Sequence, residues 1–283
     1  MATHLSHLRH HISLRDTIDP STLLWHDIER IRATAPLVHS ITNFVVMNTT
    51  ANALLALGAS PVMAHAAEEV ADMAAAAAAL VVNIGTLSPT WVESMSLAMR
   101  SAARAGRPIV FDPVGAGATV YRTESCRRLI EETPPSIVRG NASEIRALAG
   151  ASSATRGVDS ADQSETALEP ARFLARHYAC VVVSGAVDLV VSIGRLTRVS
   201  NGHSMMPRIT GLGCTATALI GAFAAVNPSL HDAAAHAMAV MGIAGELAAA
   251  QSPGPGTFQV KFLDALYGLT EADVRARLRM EIE

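Results

Sequence analysis

The chain has 283 residues, enough for one large α/β domain or two smaller ones. Half of them are hydrophobic, 17% are charged and only 4% are aromatic, so a large core of Ala, Val, Leu and Met is available. A net charge of −3 gives no reason to expect nucleic acid or an anionic membrane as a partner.

The mean hydropathy of +0.29 is high for a soluble monomer and points to apolar surface covered by other subunits. The three cysteines, Cys126, Cys180 and Cys214, are an odd and widely spaced set. They form neither a disulfide framework nor a zinc-ligand pattern, and they fit a reducing cytoplasm. The first twenty residues hold no apolar segment of the signal-peptide kind. The longest uncharged apolar run, Met73 to Val82, is well short of the ~20 residues a membrane span needs.

Residues 1–20, with His4, His7, His10 and His11 in no sustained period, read as a flexible tail, and residues 21–283 as a single domain. Pro20-Ser21-Thr22 starts a helix with Leu24, Ile28 and Ile31 on one face. Leu37 to Ile41 is a strand, and a helix opening at Val45-Val46-Met47 runs to Leu57, where Gly58 stops it. A strand end feeding a helix start is where α/β proteins place ligand groups, so Asn43 and Met47 are pocket candidates. For Met47 alone, plain core filling explains the residue as well.

Ser60 to Met63 is a short strand, Val70 to Ala79 an alanine-rich helix, Leu80 to Gly85 a buried strand and Thr90 to Ala105 a helix. Ile109-Val110-Phe111 is a strand ending in Asp112-Pro113-Val114-Gly115-Ala116-Gly117. An acid at a strand's C-terminal end followed by glycines suits Mg²⁺ or phosphate, though an Asp-Pro turn accounts for it too. The strand Ser136 to Val138 leads into Asn141 and Glu144, which are spaced as a helix capping pair and equally as groups facing phosphates and water-held Mg²⁺.

Residues 150–168 are polar and read as a flexible surface insertion; Glu169 to Tyr178 returns to helix. Cys180 to Val183 is a strand ending in Ser184-Gly185. Leu189–Ser192 and Thr197–Ser200 form an antiparallel pair, and long helices run from Thr215 to Val226 and from His231 to Ala250. Strands and helices alternate throughout, which predicts an α/β fold with a mostly parallel central sheet flanked by helices on both faces.

The stretch Thr210-Gly211-Leu212-Gly213-Cys214-Thr215 holds the strongest chemistry. Read as a loop entering a helix, it gathers unpaired N–H groups and the positive end of a helix dipole, an anion site. Gly211 and Gly213 let an anion approach the backbone, and Cys214 falls in the first turn, where a thiol pKa tends to drop. A glycine turn capping a buried helix, with an inert cysteine, explains the same residues.

Taken together, His39-Ser40-Ile41-Thr42-Asn43, Thr50-Ala51-Asn52, Gly58 to Met63, Asp112 to Gly117, Arg139 to Glu144 and Gly211 to Cys214 stand in the order seen in hydroxyethylthiazole kinases of the ribokinase-like superfamily. The resemblance covers residues 22 to about 260. It implies phosphorylation of the hydroxyethyl group of 4-methyl-5-(2-hydroxyethyl)thiazole by ATP and Mg²⁺ in thiamine salvage. It also implies a homotrimer with active sites at subunit interfaces. Met47 and Gly211 resemble the family's thiazole-binding residues, and Arg122 and Ser184, with Asn141, its ATP-binding side. Asp112 and Glu144 resemble its acids near Mg²⁺. Cys214 stands where most of the superfamily carries an aspartate base. Leu212 and Ser184 replace threonines common in the family, and Ser40 replaces a cysteine. A kinase of another small alcohol, such as a hydroxymethylpyrimidine, a nucleotide-dependent lyase of the same fold, and a non-catalytic sensor are the rival readings.

Overall fold

The computed structural model describes residues 19–150 and 164–283. Six strands run parallel: β1 (Leu37–Ile41), β2 (Ser60–Val62), β3 (Ala79–Asn83), β4 (Ile109–Asp112), β5 (Ile137–Asn141) and β6 (Cys180–Ser184). Then β7 (Asp188–Ser192), β8 (Arg195–Val199) and β9 (Met280–Ile282) add an antiparallel edge. The nine strands make one sheet in the order β2-β1-β3-β4-β5-β6-β7-β8-β9. The strand order reverses between β1 and β3, and the crevice outside the C-terminal ends of strands at such a reversal is where open α/β sheets bind ligands.

Central strands read as unbroken apolar runs because both faces are covered. In β3 the side chain of Val81 joins one core, while Leu80 and Val82 join the other. The first core is closed by α1 (Pro20–Thr34), α2 (Met47–Leu57), α8 (Leu212–Val226), α9 (Leu230–Ala249), α10 (Pro255–Gly268) and α11 (Glu271–Arg277). The second is closed by α3 (Val70–Ala76), α4 (Pro89–Arg104), α5 (Val120–Glu132), α6 (Ala142–Leu148) and α7 (Leu168–Leu174). The helix α8 is buried nearly all round and packs against β1, β3 and β4, which brings its N-terminus to the switch point. Among the described residues no helix is long and apolar enough to cross a membrane.

Several expectations are corrected. The alanine run does not stay helical to Ala79: α3 stops at Ala76, and Ala79 begins β3, where a fully buried strand outweighs alanine's helix propensity. Residues 1–18 and 151–163, and with them most of the expected tail and insertion, lie outside the described residues. The end of the expected insertion is packed. Ser164 is buried and donates to the carbonyl of Val187 at 2.7 Å, and a 3₁₀ turn at Glu165–Ala167 leads into α7. That helix ends at Leu174, short of the expected Tyr178, and α8 starts at Leu212, before the expected Thr215.

The helices α5, α10 and α11 and the strand β9 were not anticipated. The first is capped by Thr119, whose hydroxyl accepts from Arg122 N, and α10 starts with Pro255 and buries Phe258, Phe262 and Leu266 at four-residue spacing.

Candidate active site

The loop before α8 is built by close approach. Gly211 caps the helix at φ 84, a left-handed conformation, and a Cβ there would lie 2.4 Å from Val46 Cγ1. A Cβ on Gly213 would lie 2.9 Å from Arg139 Nη1. Thr215 N is the first helix donor to find a carbonyl, that of Gly211 at 2.9 Å, so the N–H groups just before it face outward without an intrahelical acceptor. They converge where the helix dipole is positive.

Behind this loop, a chain of buried polar side chains crosses the strand ends. Asn43 Nδ2 donates to Asn83 Oδ1 at 2.9 Å and to Cys214 Sγ at 3.4 Å. Asn83 Nδ2 donates to Asp112 Oδ2 at 2.9 Å, and Thr217 Oγ1 donates to the same oxygen at 2.7 Å. Arg139 Nη1 stands 3.7 Å from it. The other carboxylate oxygen, Asp112 Oδ1, is buried without a hydrogen-bond partner among the described residues. Burial pushes the Asp112 carboxyl up to about 6, against the pull of Arg139 and helped by the nearby Glu144 carboxylate.

The Cys214 thiol is also pushed up from its ordinary value, first by burial and then by the Asp112 charge. The expected lowering at the helix N-terminus is corrected to a rise: desolvation is the largest cause and the neighbouring acid adds to it.

Asn141 and Glu144 form the capping box of α6, with Asn141 Oδ1 accepting from Glu144 N at 2.9 Å and Glu144 Oε2 from Asn141 N at 2.8 Å. Glu144 Oε1 accepts from Gly115 N at 2.8 Å, which fastens the loop after β4. Arg122 is a strut: its guanidinium donates to the carbonyls of Ile84, Gly85 and Val114, each at 3.0 Å.

Among the described residues no group of three or more His, Cys, Asp or Glu is placed to hold a metal. Mg²⁺ needs fewer, because it takes one or two carboxylates and fills its shell with water and phosphate oxygens. The unpartnered Asp112 Oδ1, with Glu144 close by, fits that demand.

Beside the loop opens a cavity of about 560 Å³, lined among others by Ser184, Asp188, Arg139, Gly211 and Gly213. The apolar side chains of Met206, Met238 and Met241 also line it. Ser184 Oγ is buried there without a hydrogen-bond partner among the described residues. Met47 begins α2 and packs partly into the second core, while Phe44 and Val45 beside it are 62% and 67% exposed. Of the candidates read from sequence, Asn43, Asp112 and Cys214 form one network, and Gly211, Gly213 and Ser184 line the cavity. Met47, Arg122, Asn141 and Glu144 stand outside the cavity lining.

A family model described as the hydroxyethylthiazole kinase family matches residues 28–272. The chain belongs to the hydroxyethylthiazole kinase family. It is 58% identical over 258 residues to the hydroxyethylthiazole kinase of Syntrophus aciditrophicus, covering 90% of this chain and 96% of that one. It is 56% identical over 265 residues to that of Leptothrix cholodnii, covering 92% and 95%. The solved hydroxyethylthiazole kinase of Pyrococcus horikoshii superposes with a TM-score of 0.85 at 44% identity, covering 93% of this chain and 99% of that one. A pyridoxal kinase from Staphylococcus aureus in complex with ADP shares the fold at a TM-score of 0.63 and 15% identity, covering 88% and 98%.

In this hydroxyethylthiazole kinase family member, sequence reasoning missed four site residues: Asn83, Thr217, Arg139 and Asp188. Asn83 carried a readable signal, an amide closing the apolar strand Ala79–Asn83. Thr217 and Arg139 carried weaker ones, a hydroxyl inside an apolar helix and a charge in a buried strand. Asp188 carried none, because only the turn after β6 brings it to the cavity, where its carboxylate accepts from Gly185 N at 3.0 Å.

Proposed function

We propose that the chain transfers the γ-phosphoryl group of ATP to the hydroxyethyl group of 4-methyl-5-(2-hydroxyethyl)thiazole, a step of thiamine salvage. Family membership supports this reading. The observation that carries it to the site is the convergence of Asp112 and Cys214, through Asn83 and Asn43, on the N-terminus of α8 beside the cavity.

In phosphoryl transfer the protein mainly positions groups and neutralises charge. ATP is assigned to the cavity, with Ser184 offering it a free hydroxyl and Arg122 and Asn141 bracing the loops around its phosphates. The thiazole is assigned to the side of Asn43, Met47 and Gly211. Asp112 and Glu144 would hold Mg²⁺, which when bound would supply neutralisation of the phosphate charge. The alcohol oxygen bonds to the γ-phosphorus as the bond to the ADP oxygen breaks, and the hydroxyl proton leaves to solvent. The N–H groups around Gly211 and Gly213 receive the charge on the phosphoryl oxygens. With its thiol pKa raised, Cys214 is a poor resting base, and its role is to orient the alcohol beside Asn43.

Residues 21–283 form one domain of ribokinase-like type in this reading. The protein works in the cytoplasm as a homotrimer, with the exposed Phe44 and Val45 next to the site covered by a neighbouring subunit. The experiment is ADP release from Mg-ATP with and without the thiazole. Thiazole-dependent release supports the kinase. ATP binding with no thiazole-dependent release moves the reading to a lyase or sensor of the same fold.

A further inference from the structure

We propose that Arg139 is a catalytic residue whose guanidinium receives the transferred phosphoryl group, at the neck between the cavity and the Asp112–Asn83–Asn43–Cys214 chain. The proposal rests on the kinase reading above and names the cation of that site.

Arg139 lies in β5 between Val138 and Gly140 and is only 9% exposed. A guanidinium carries five N–H donors, and a buried one needs acceptors. Among the described residues Arg139 donates no hydrogen bond, and its Nε is buried without a partner. Its nearest acid, Asp112 Oδ2, is 3.7 Å away, beyond hydrogen-bond length, and that oxygen already accepts from Asn83 and Thr217. The ion pair balances the charge and leaves the donors unused.

Arg139 is the one Lys or Arg among the described residues that line the cavity. The other cation nearby, Arg122, spends its guanidinium on three backbone carbonyls at 3.0 Å. Gly213 explains the aim of Arg139. With no side chain there, the guanidinium lies against the first turn of α8, and a methyl group would stand 2.9 Å from Nη1. An anion that accepts from the loop N–H groups therefore meets the unused donors of Arg139 at the same place. The role of Arg139 is electrostatic and geometric.

The test is calorimetry of adenosine, ADP and the imido analogue of ATP with the full-length protein, Arg139→Gln and Arg139→Lys, alongside kcat, KM and thermal melts. Arg139→Gln is expected to bind adenosine within about threefold of the parent, to lose about 30-fold or more for imido-ATP, and to drop kcat by about 10²–10³-fold with little change in thiazole KM. Arg139→Lys keeps a point charge without the forked donors, so it is expected to melt like the parent yet fall about tenfold or more in kcat.

Equal losses for adenosine and imido-ATP, or imido-ATP affinity and kcat within about threefold of the parent in a folded Gln variant, would overturn the proposal. Should the Gln variant not fold, a fully active Lys variant overturns it. The binding arms need no thiazole. If the parent shows no thiazole-dependent turnover but the Gln variant still loses imido-ATP selectively, the kinase reading fails and Arg139 stands as the phosphate cation.

Discussion

Asn83 joins Asn43 to Asp112: its carbonyl accepts from Asn43 Nδ2, and its amide donates to Asp112 Oδ2, both at 2.9 Å. One side chain at the end of β3 thus fixes the orientation of the residue that touches Cys214 and of the carboxylate assigned to Mg²⁺. Removing it leaves Asn43 Nδ2 with only Cys214 Sγ and Asp112 Oδ2 with only the Thr217 hydroxyl, and takes from Gly85 N the acceptor it has at 2.9 Å. Asn83→Ala is expected to destabilise the fold by about 2–4 kcal/mol and to lower kcat by about 10–100-fold. Asn83→Asp keeps the acceptor for Asn43 but sets a second carboxylate against Asp112, and it should be the less active of the two. Urea unfolding and steady-state kinetics check both. Parent-like stability and kcat in the alanine variant would show that the linkage carries nothing.

The Cys214 thiol is held protonated at neutral pH by burial and by Asp112, so it should alkylate slowly at pH 7 and faster as pH rises. Burial pushes Cys126 and Cys180 up to about 12, so Cys214 should still be the first cysteine labelled by iodoacetamide in the folded protein. Mass spectrometry of labelled peptides over pH 7 to 10 reads both. Cys214→Ser, which keeps a small polar group beside Asn43, should retain measurable turnover. Fast labelling at pH 7, or a serine variant at the uncatalysed rate, would point instead to a thiolate base.

How much of this was legible in the sequence follows from where the information sits. The central strands were legible because burial on both faces makes them continuous apolar runs, as in Leu80-Val81-Val82. The capping box of Asn141 and Glu144 was legible because it is local, and the structure bears it out. The glycine loop was recognised as a helix entry, yet the reasons for its two glycines, Val46 and Arg139, are 165 and 74 residues away in the chain (211 − 46 and 213 − 139) and only the fold reveals them. The Cys214 pKa differs from the sequence reading for the same reason: the helix N-terminus is visible in the sequence, whereas the burial of the thiol and then the adjoining Asp112 are not. The helix α5 went unseen because its polar sequence, Val120–Glu132, buries only Ser125, Cys126, Leu129 and Ile130.

His231 gives a stability prediction with a definite sign. Its ring bridges Thr197 Oγ1 at 2.8 Å and Ser192 Oγ at 3.0 Å. Burial, then the charge of Arg195, lowers its pKa to about 4 from an ordinary value of 6.5. The folded protein therefore binds fewer protons than the unfolded chain between those values, so stability is full above pH 6.5 and is lost as pH falls toward 4. The loss is on the order of 2–3 kcal/mol, discounted for partial exposure. His231→Gln should cost some stability at pH 7.5 and flatten the decline of Tm between pH 6.5 and 4.5. An equally steep acid limb in the variant would assign it to other groups.

Gly211 and Gly213 separate conformational strain from side-chain crowding. Gly211→Ala forces an L-residue to φ 84 and drives its methyl to 2.4 Å from Val46 Cγ1, so it should cost about 2–4 kcal/mol of stability. Adding Val46→Ala should recover the crowding part and leave the conformational part of about 1 kcal/mol. Gly213→Ala has no positive φ to oppose it and meets only the movable end of Arg139, 2.9 Å away. Its expected effect is kinetic: a near-parent Tm with kcat lowered about tenfold or more as the guanidinium is displaced from the loop. Thermal melts and kinetics on the three variants decide this. If Gly213→Ala lost stability as heavily as Gly211→Ala while keeping kcat, the first turn of α8 would need Gly213 for its fold and not for the placement of Arg139.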